Sequence, residues 1–280
     1  MSQWLVIVMN GMKIIDMGSG APVVLVPGIQ GRWEWMKPAV EALSKRCRVI
    51  TFSLADEPTS GARFDEAAGF QSYVQQIDDA LDETGVRAAT ICGVSYGGLV
   101  AAAFAARRPE RTKALVLTSA IPPSWTPDKR VRFLMRAPRL LSPLFAINSL
   151  RLFPEMVIAK QGLMPGLLFA VRHVALVLAH GFSPRLMARR VRLLDGLPLE
   201  RELASLDLPT LVITGEHGLD RVVPVELTMD YLRFWPHARA ATLPRTGHLG
   251  LVTRPDTFAD LVVPFAEHAS SGEAQRRRIV

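Results

Sequence analysis

Cysteine is almost absent from this 280-residue chain. The two that occur, Cys47 and Cys92, lie in apolar runs that read as strands, and they are expected as buried reduced thiols rather than a disulfide or a metal pair. No CxxC, HExxH or EF-hand spacing occurs, so neither a metal nor another cofactor is expected. A long unbroken apolar run is missing as well. The most apolar stretch, from Leu163 to Ala179, is interrupted by Pro165, Arg172 and His173, which argues against a membrane span. The opening MSQWLVIVMNGMK has no basic leader or small-residue cleavage site and reads as a strand, so a cytoplasmic setting is expected. Basic strands interleaved with aromatics are lacking too, so no specific nucleic-acid partner is expected.

What is present is a large apolar reserve. With 49% hydrophobic and 21% charged residues, the chain can bury one large α/β core and still carry an insertion. The net charge of +7 is unevenly spread. Pro122 to Glu200 holds 12 Lys and Arg against 4 Asp and Glu, a local +8, and the remainder is near −1. A short basic run, Arg276 to Arg278, adds to it near the end. Such a segment fits a solvated helical face first, with nucleic acid, anionic lipid or an acidic substrate as the alternatives. The expected partner is a small molecule, and membrane contact through the basic segment and a monomer or homodimer are left open.

Trp4 to Met9 and Met12 to Met17 suggest a hairpin around Asn10-Gly11, the favoured two-residue turn. Val23–Val26, Arg48–Phe52, Ala88–Cys92 and Lys113–Thr118 read as buried strands. Helical patterns lie between them at about Trp35–Ser44, Phe70–Glu83 and Tyr96–Arg107. This rhythm predicts a mostly parallel sheet with helices on both faces. It stops at Pro122. Nine prolines cut the stretch up to Leu203 into short, apolar, arginine-bearing helices. The rhythm then resumes with Pro209–Thr214, Val225–Phe234, Arg239–Leu243 and Thr257–His268. The division is therefore a core of 1–121 and 204–270, an all-helical cap over 122–203, and a flexible basic tail over 271–280.

The chemistry is carried by Gly93-Val94-Ser95-Tyr96-Gly97-Gly98, between a strand and a helix. A serine on so sharp a turn needs small neighbours two residues before and after it, a demand met by Gly93 and Gly97. The turn lifts the hydroxyl above the sheet and aims the helix N-terminus, with the Tyr96 N–H, at any oxyanion formed there. A serine hydroxyl needs a base. Of the six histidines, His173 and His180 fall in the insertion, His217 in the loop after Thr214, His237 before a strand and His268 in the last helix. His248 differs, because the loop Arg245-Thr246-Gly247-His248-Leu249-Gly250 follows the last strand, at the same edge as Ser95. The acid that orients it is expected at Asp220, after the preceding strand, with Glu216 in the same loop as rival and Asp128 as a more distant one. A second oxyanion donor is expected from Pro27-Gly28-Ile29-Gln30-Gly31, at the Ile29 N–H. Gln30, Trp33 and Trp125 are candidates for an apolar substrate pocket, and Trp35 and cap residues would add to it; plain packing between cap and core is the equal alternative.

These residues resemble the α/β-hydrolase superfamily, of the capped kind that includes small-molecule esterases, lactonases and carbon–carbon bond hydrolases. The elbow Gly93 to Gly98, the loop Asp220 to Pro224 and the pair Gly247-His248 fall in the family's order over nearly the whole chain. The family usually carries His-Gly where this chain has Pro27-Gly28, which keeps the glycine and the backbone donor but loses a supporting side chain. Relatives that dehalogenate alkanes or open epoxides use aspartate at the elbow; serine here implies acyl-type chemistry. The resemblance implies the α/β-hydrolase fold with an all-helical cap and a serine hydrolase of the carboxylesterase kind. Alternatives are a lactonase, carbon–carbon bond hydrolase or acyltransferase on the same triad, a non-catalytic ligand-binding scaffold, or a basic interaction protein.

Overall fold

The computed structural model describes residues 5–9, 11–141, 143, 150–181 and 183–277. Trp4 and Asn10 of the expected hairpin, and Arg278, lie outside them. The hairpin's strands are β1 (Leu5–Met9) and β2 (Met12–Met17), closed by a Met9–Met12 pair, with Gly11 at φ +87°. The strands β3 (Pro22–Val26), β4 (Arg48–Phe52), β5 (Ala89–Val94), β6 (Thr112–Thr118), β7 (Thr210–Thr214) and β8 (Arg239–Thr242) complete one eight-stranded sheet in the order β1-β2-β4-β3-β5-β6-β7-β8. β1, β2 and β4 pair antiparallel; from β4 to β8 every pairing is parallel.

The continuous apolar strands are explained by cover on both faces, since alternate residues enter different cores. Val24, Val26, Ile91, Leu115 and Val212 pack with α2 (Gln71–Glu83) and α3 (Tyr96–Arg107). Val23, Leu25, Cys92, Val116 and Ile213 face the other way, toward α1 (Lys37–Leu43) and the C-terminal helix. The two thiols are buried and unpaired, and burial pushes Cys47 up to about 11 and Cys92 up to about 12. Both are therefore unreactive core residues near neutral pH.

Between β6 and β7 the regular elements among the described residues are all helices, including α4 (Lys129–Arg136), α5 (Phe153–Ala159), α6 (Leu163–His180), α7 (Pro184–Arg192) and α8 (Leu199–Ala204). Not all are short. α6 runs for 18 residues because Pro165 falls in its first turn, where the missing N–H has no intrahelical partner to lose. After β7 come the short helices α9 (Val225–Met229) and α10 (Gly250–Thr253). The segment expected as one helix over Val225–Phe234 is α9 followed by a 3-10 turn, Asp230–Arg233. The final helix, α11, spans Pro255–Arg277. The described part of the expected tail, 271–277, continues this helix.

Candidate active site

α3 is almost wholly buried because its inner side is built of Gly97, Gly98, Ala101, Ala102 and Ala105, which lets it lie close on β5 and β6. Its cap is Ser95, held at φ +53° and ψ −118°. A non-glycine residue there stores strain of order 1–3 kcal/mol and persists only where its surroundings fix it. Two contacts do so: Ser95 N–H donates to the Thr118 carbonyl at 3.0 Å, and the Ser95 carbonyl accepts from Gly98 N–H at 2.9 Å. The flanking glycines are obligatory. A Cβ on Gly93 would lie 2.3 Å from the Gly97 carbonyl, and one on Gly97 would lie 2.4 Å from the Pro27 carbonyl.

That second contact seats the Pro27-Gly28 loop against the serine turn, where a Cβ on Gly28 would come within 3.4 Å of Ser95 Cβ. Ile29 and Gln30 follow in that loop, and Gln30 Oε1 lies 3.3 Å from the same Cβ position. Tyr96 offers only its backbone to this edge; its ring is buried against Phe70 and Tyr73 in the core under the sheet. The Ile29 carbonyl is pinned from behind by Arg190 of α7, whose Nη1 donates to it at 2.7 Å. Arg190 is fully buried and also donates to Glu57 Oε1 at 2.7 Å and, through Nε, to Asp56 Oδ1 at 3.1 Å. Burial alone would lower its pKa; Asp56 and Glu57 outweigh that, and the guanidinium stays charged.

Asp220 and His248 are brought together at the same carboxyl edge. Asp220 Oδ1 accepts from the N–H groups of Val222 (2.9 Å) and Val223 (2.8 Å), while Oδ2 faces His248 Nδ1 at 3.1 Å. Both residues are buried. The loops carrying them interlock: a Cβ on Gly247 would lie 2.3 Å from the Leu219 carbonyl. Burial would raise the Asp220 pKa, but His248 and the two N–H groups hold it below the usual carboxylate range. Burial would likewise lower that of His248, but Asp220 and then Glu155 outweigh it, so the imidazole is more basic than usual.

The other acidic and imidazole groups have different work. Glu216 accepts from Arg245 N–H at 2.7 Å and braces the turn before His248, and Asp128 caps α4. His173 stacks on Phe169 beside Trp35, His180 bonds the Leu176 carbonyl, and His217 pairs with Glu226 on the surface. His237 and His268 are exposed. Trp33 and Trp125 pack in different cores, on opposite sheet faces. Among the described residues no cluster of His, Cys, Asp and Glu has a metal-holding arrangement.

Glu155 of α5 was missed in the sequence pattern. It is 2% exposed, and its Oε1 accepts from Leu249 N–H at 2.7 Å. Oε2 is buried with no hydrogen-bond partner among the described residues. Burial pushes its pKa up to about 7, against the opposing pull of Gly247, His248 and Leu249. No spacing links position 155 to 248; only a single acid in an arginine-rich stretch could have drawn attention to it.

An edge carrying a strained serine, a buried Asp–His pair and a glycine loop defines a hydrolase built on a doubly covered sheet, and comparison with known proteins agrees. Residues 23–261 match the model of the alpha/beta hydrolase family, and the chain belongs to that family. It is similar to a provisionally named carbamate hydrolase, RutD, of Azorhizobium caulinodans, with 25% identity over 265 residues, covering 89% of this chain and 92% of the relative. It is also similar to 2-hydroxymuconate semialdehyde hydrolase of Pseudomonas sp. strain CF600, 25% identical over 264 residues, covering 91% and 90%. Among solved structures, an esterase from Exiguobacterium antarcticum shares the fold at a TM-score of 0.73 and 21% identity, covering 95% of this chain and all of that one.

Proposed function

We propose that this hydrolase is a serine enzyme that cleaves an ester-like bond of a small, largely apolar substrate through an acyl-enzyme. The buried Asp220–His248 pair, at the sheet edge that also carries the strained Ser95, is the observation behind this reading. In the proposed sequence, Ser95 Oγ attacks the carbonyl carbon while His248 Nε2 takes its proton. The Ile29 and Tyr96 N–H groups stabilise the oxyanion, each donor being worth roughly 3 kcal/mol. The imidazolium, held by Asp220, gives the proton to the departing alkoxide. His248 then takes a proton from water, whose oxygen attacks the acyl carbon; the acid leaves and the proton returns to Ser95.

Glu155 acts in this reading as a positioning residue, fastening the His248 loop to the helical insertion and raising the basicity of the imidazole. Residues 122–203 act as a cap over the site, with Gln30, Trp33 and Trp125 offered as substrate neighbours. The buried free thiols support a reducing, cytoplasmic setting. The similarity to a semialdehyde hydrolase favours a second reading, carbon–carbon bond hydrolysis by the same three residues.

The test is hydrolysis of p-nitrophenyl esters from acetate to decanoate by wild type and Ser95→Ala. Activity that disappears in the variant, falling on the order of 10⁶-fold in kcat, is expected, and the best chain length sizes the pocket. Equal rates in both proteins would refute the assignment. Turnover of a vinylogous diketone with no ester turnover would select the carbon–carbon reading, and saturable binding without turnover a receptor.

A further inference from the structure

α6 is apolar apart from Arg172, His173 and His180, yet only one side is packed. Gly166 lies against Val157 of α5, and Phe169 stacks on His173 beside Trp35. The opposite arc carries Leu163, Met164, Leu167, Leu168, Val171 and Val174, which at 3.6 residues per turn form one strip. These side chains are between 44% and 72% exposed. A contiguous exposed apolar patch of this kind marks an interaction surface.

Charge selects what covers the strip. The insertion that carries it holds the local +8, and Arg172, on the same helix, is exposed. A cleft of about 840 Å³ opens at Ser183, just past the C-terminal end of α6, and gathers Arg139, Arg185, Arg189 and Arg192 against one acid, Glu66. A second copy of the chain would bring two cationic faces together. Nucleic acid would satisfy the arginines but leave the strip in water. No helix among the described residues is long and apolar enough to cross a membrane. An interfacial position satisfies both features: the acyl-chain boundary takes the strip, and anionic headgroups take the guanidinium groups.

We propose that the helical insertion docks the protein peripherally on anionic lipid bilayers through the outer face of α6, with the arginine cleft holding headgroups. This does not rest on the hydrolytic reading. The experiment is flotation of the full chain with phosphatidylcholine vesicles, with and without phosphatidylglycerol, at low and high salt. Binding to the phosphatidylglycerol vesicles, weakened by salt, is expected. The double variant Leu167→Glu/Val171→Glu changes only exposed positions. It should lose binding by about tenfold or more, as should Arg185→Glu, given the per-charge scale of basic segments at such surfaces. The thermal melts of both variants should match wild type. Absence of binding to anionic vesicles overturns the proposal, as does binding that Leu167→Glu/Val171→Glu leaves unchanged. A wild-type dimer by light scattering that this variant dissociates overturns it too, and assigns the strip to a second copy.

Discussion

The sheet core and the helical insertion solve opposite problems with the same kinds of residue. In the core, strands β3 and β5 to β7 are buried almost throughout, and Ser95, Asp220 and His248 stand in the loops at one edge. In the insertion, large apolar side chains stand exposed along α6 while Glu155 and Arg190 are buried. The inversion is purposeful in physical terms. Each buried charge reaches out of the insertion and grips one loop of the core: Arg190 the Ile29 loop, Glu155 the His248 loop. A buried ion has to be compensated, and here the compensating groups lie on the other side of the boundary. The insertion is thus fixed to the edge at the two places the proposed chemistry needs held still.

Substitutions can sharpen or break this comparison. The largest effect is expected within the core, where Asp220→Asn should lower kcat on the order of 10⁴-fold by leaving the imidazole in the wrong tautomer, with little change in melting. A loss below tenfold would move the acid elsewhere, Glu216 being the next candidate. The largest stability effect should come from the insertion. Arg190→Ala leaves Asp56 buried without its cation and Glu57 with Arg32 alone, a cost of about 3–5 kcal/mol readable in chemical denaturation. A neutral outcome would mean that the insertion is not fastened at Ile29.

Smaller and more telling is the contrast between Glu155→Gln and Glu155→Ala. Glutamine can still accept from Leu249 N–H, whereas alanine leaves that donor unmet at about 1–3 kcal/mol. Because the Glu155 charge raises the basicity of His248, Glu155→Gln should shift the acid limb of kcat/KM to lower pH while leaving the melt intact near pH 5. The folded-state pKa of Glu155 is raised from 4.5 to about 7. Its contribution to stability is therefore present below the lower value and lost as pH rises through the upper one. Wild type should accordingly lose stability relative to Glu155→Gln across that window. Parallel melting curves from pH 4 to pH 8 would contradict the buried ionisation.

The same contrast explains what could be read in advance. Strand and helix periodicity, the Gly93-Val94-Ser95-Tyr96-Gly97 turn and the Asp220 and His248 loops are local patterns. They obey constraints, small residues at a tight turn and apolar runs in a covered sheet, that the sequence states directly. Glu155 and Arg190 obey a constraint across the boundary between insertion and core. Arg190 is one of four arginines in α7, and nothing in the order of residues marks it as the buried one. The length of α6 was concealed by Pro165, because a proline in a first turn and one in a helix interior look alike in a sequence. That Trp33 and Trp125 pack against cores on opposite faces of the sheet is likewise not visible in the order of residues.

The most direct test of the central claim is covalent labelling of the full-length protein with a fluorophosphonate, read by peptide mass spectrometry. The account predicts one adduct, on Ser95, absent in Ser95→Ala and formed far more slowly in His248→Ala. A wild-type protein that takes no label, or an adduct that persists in Ser95→Ala, would contradict it.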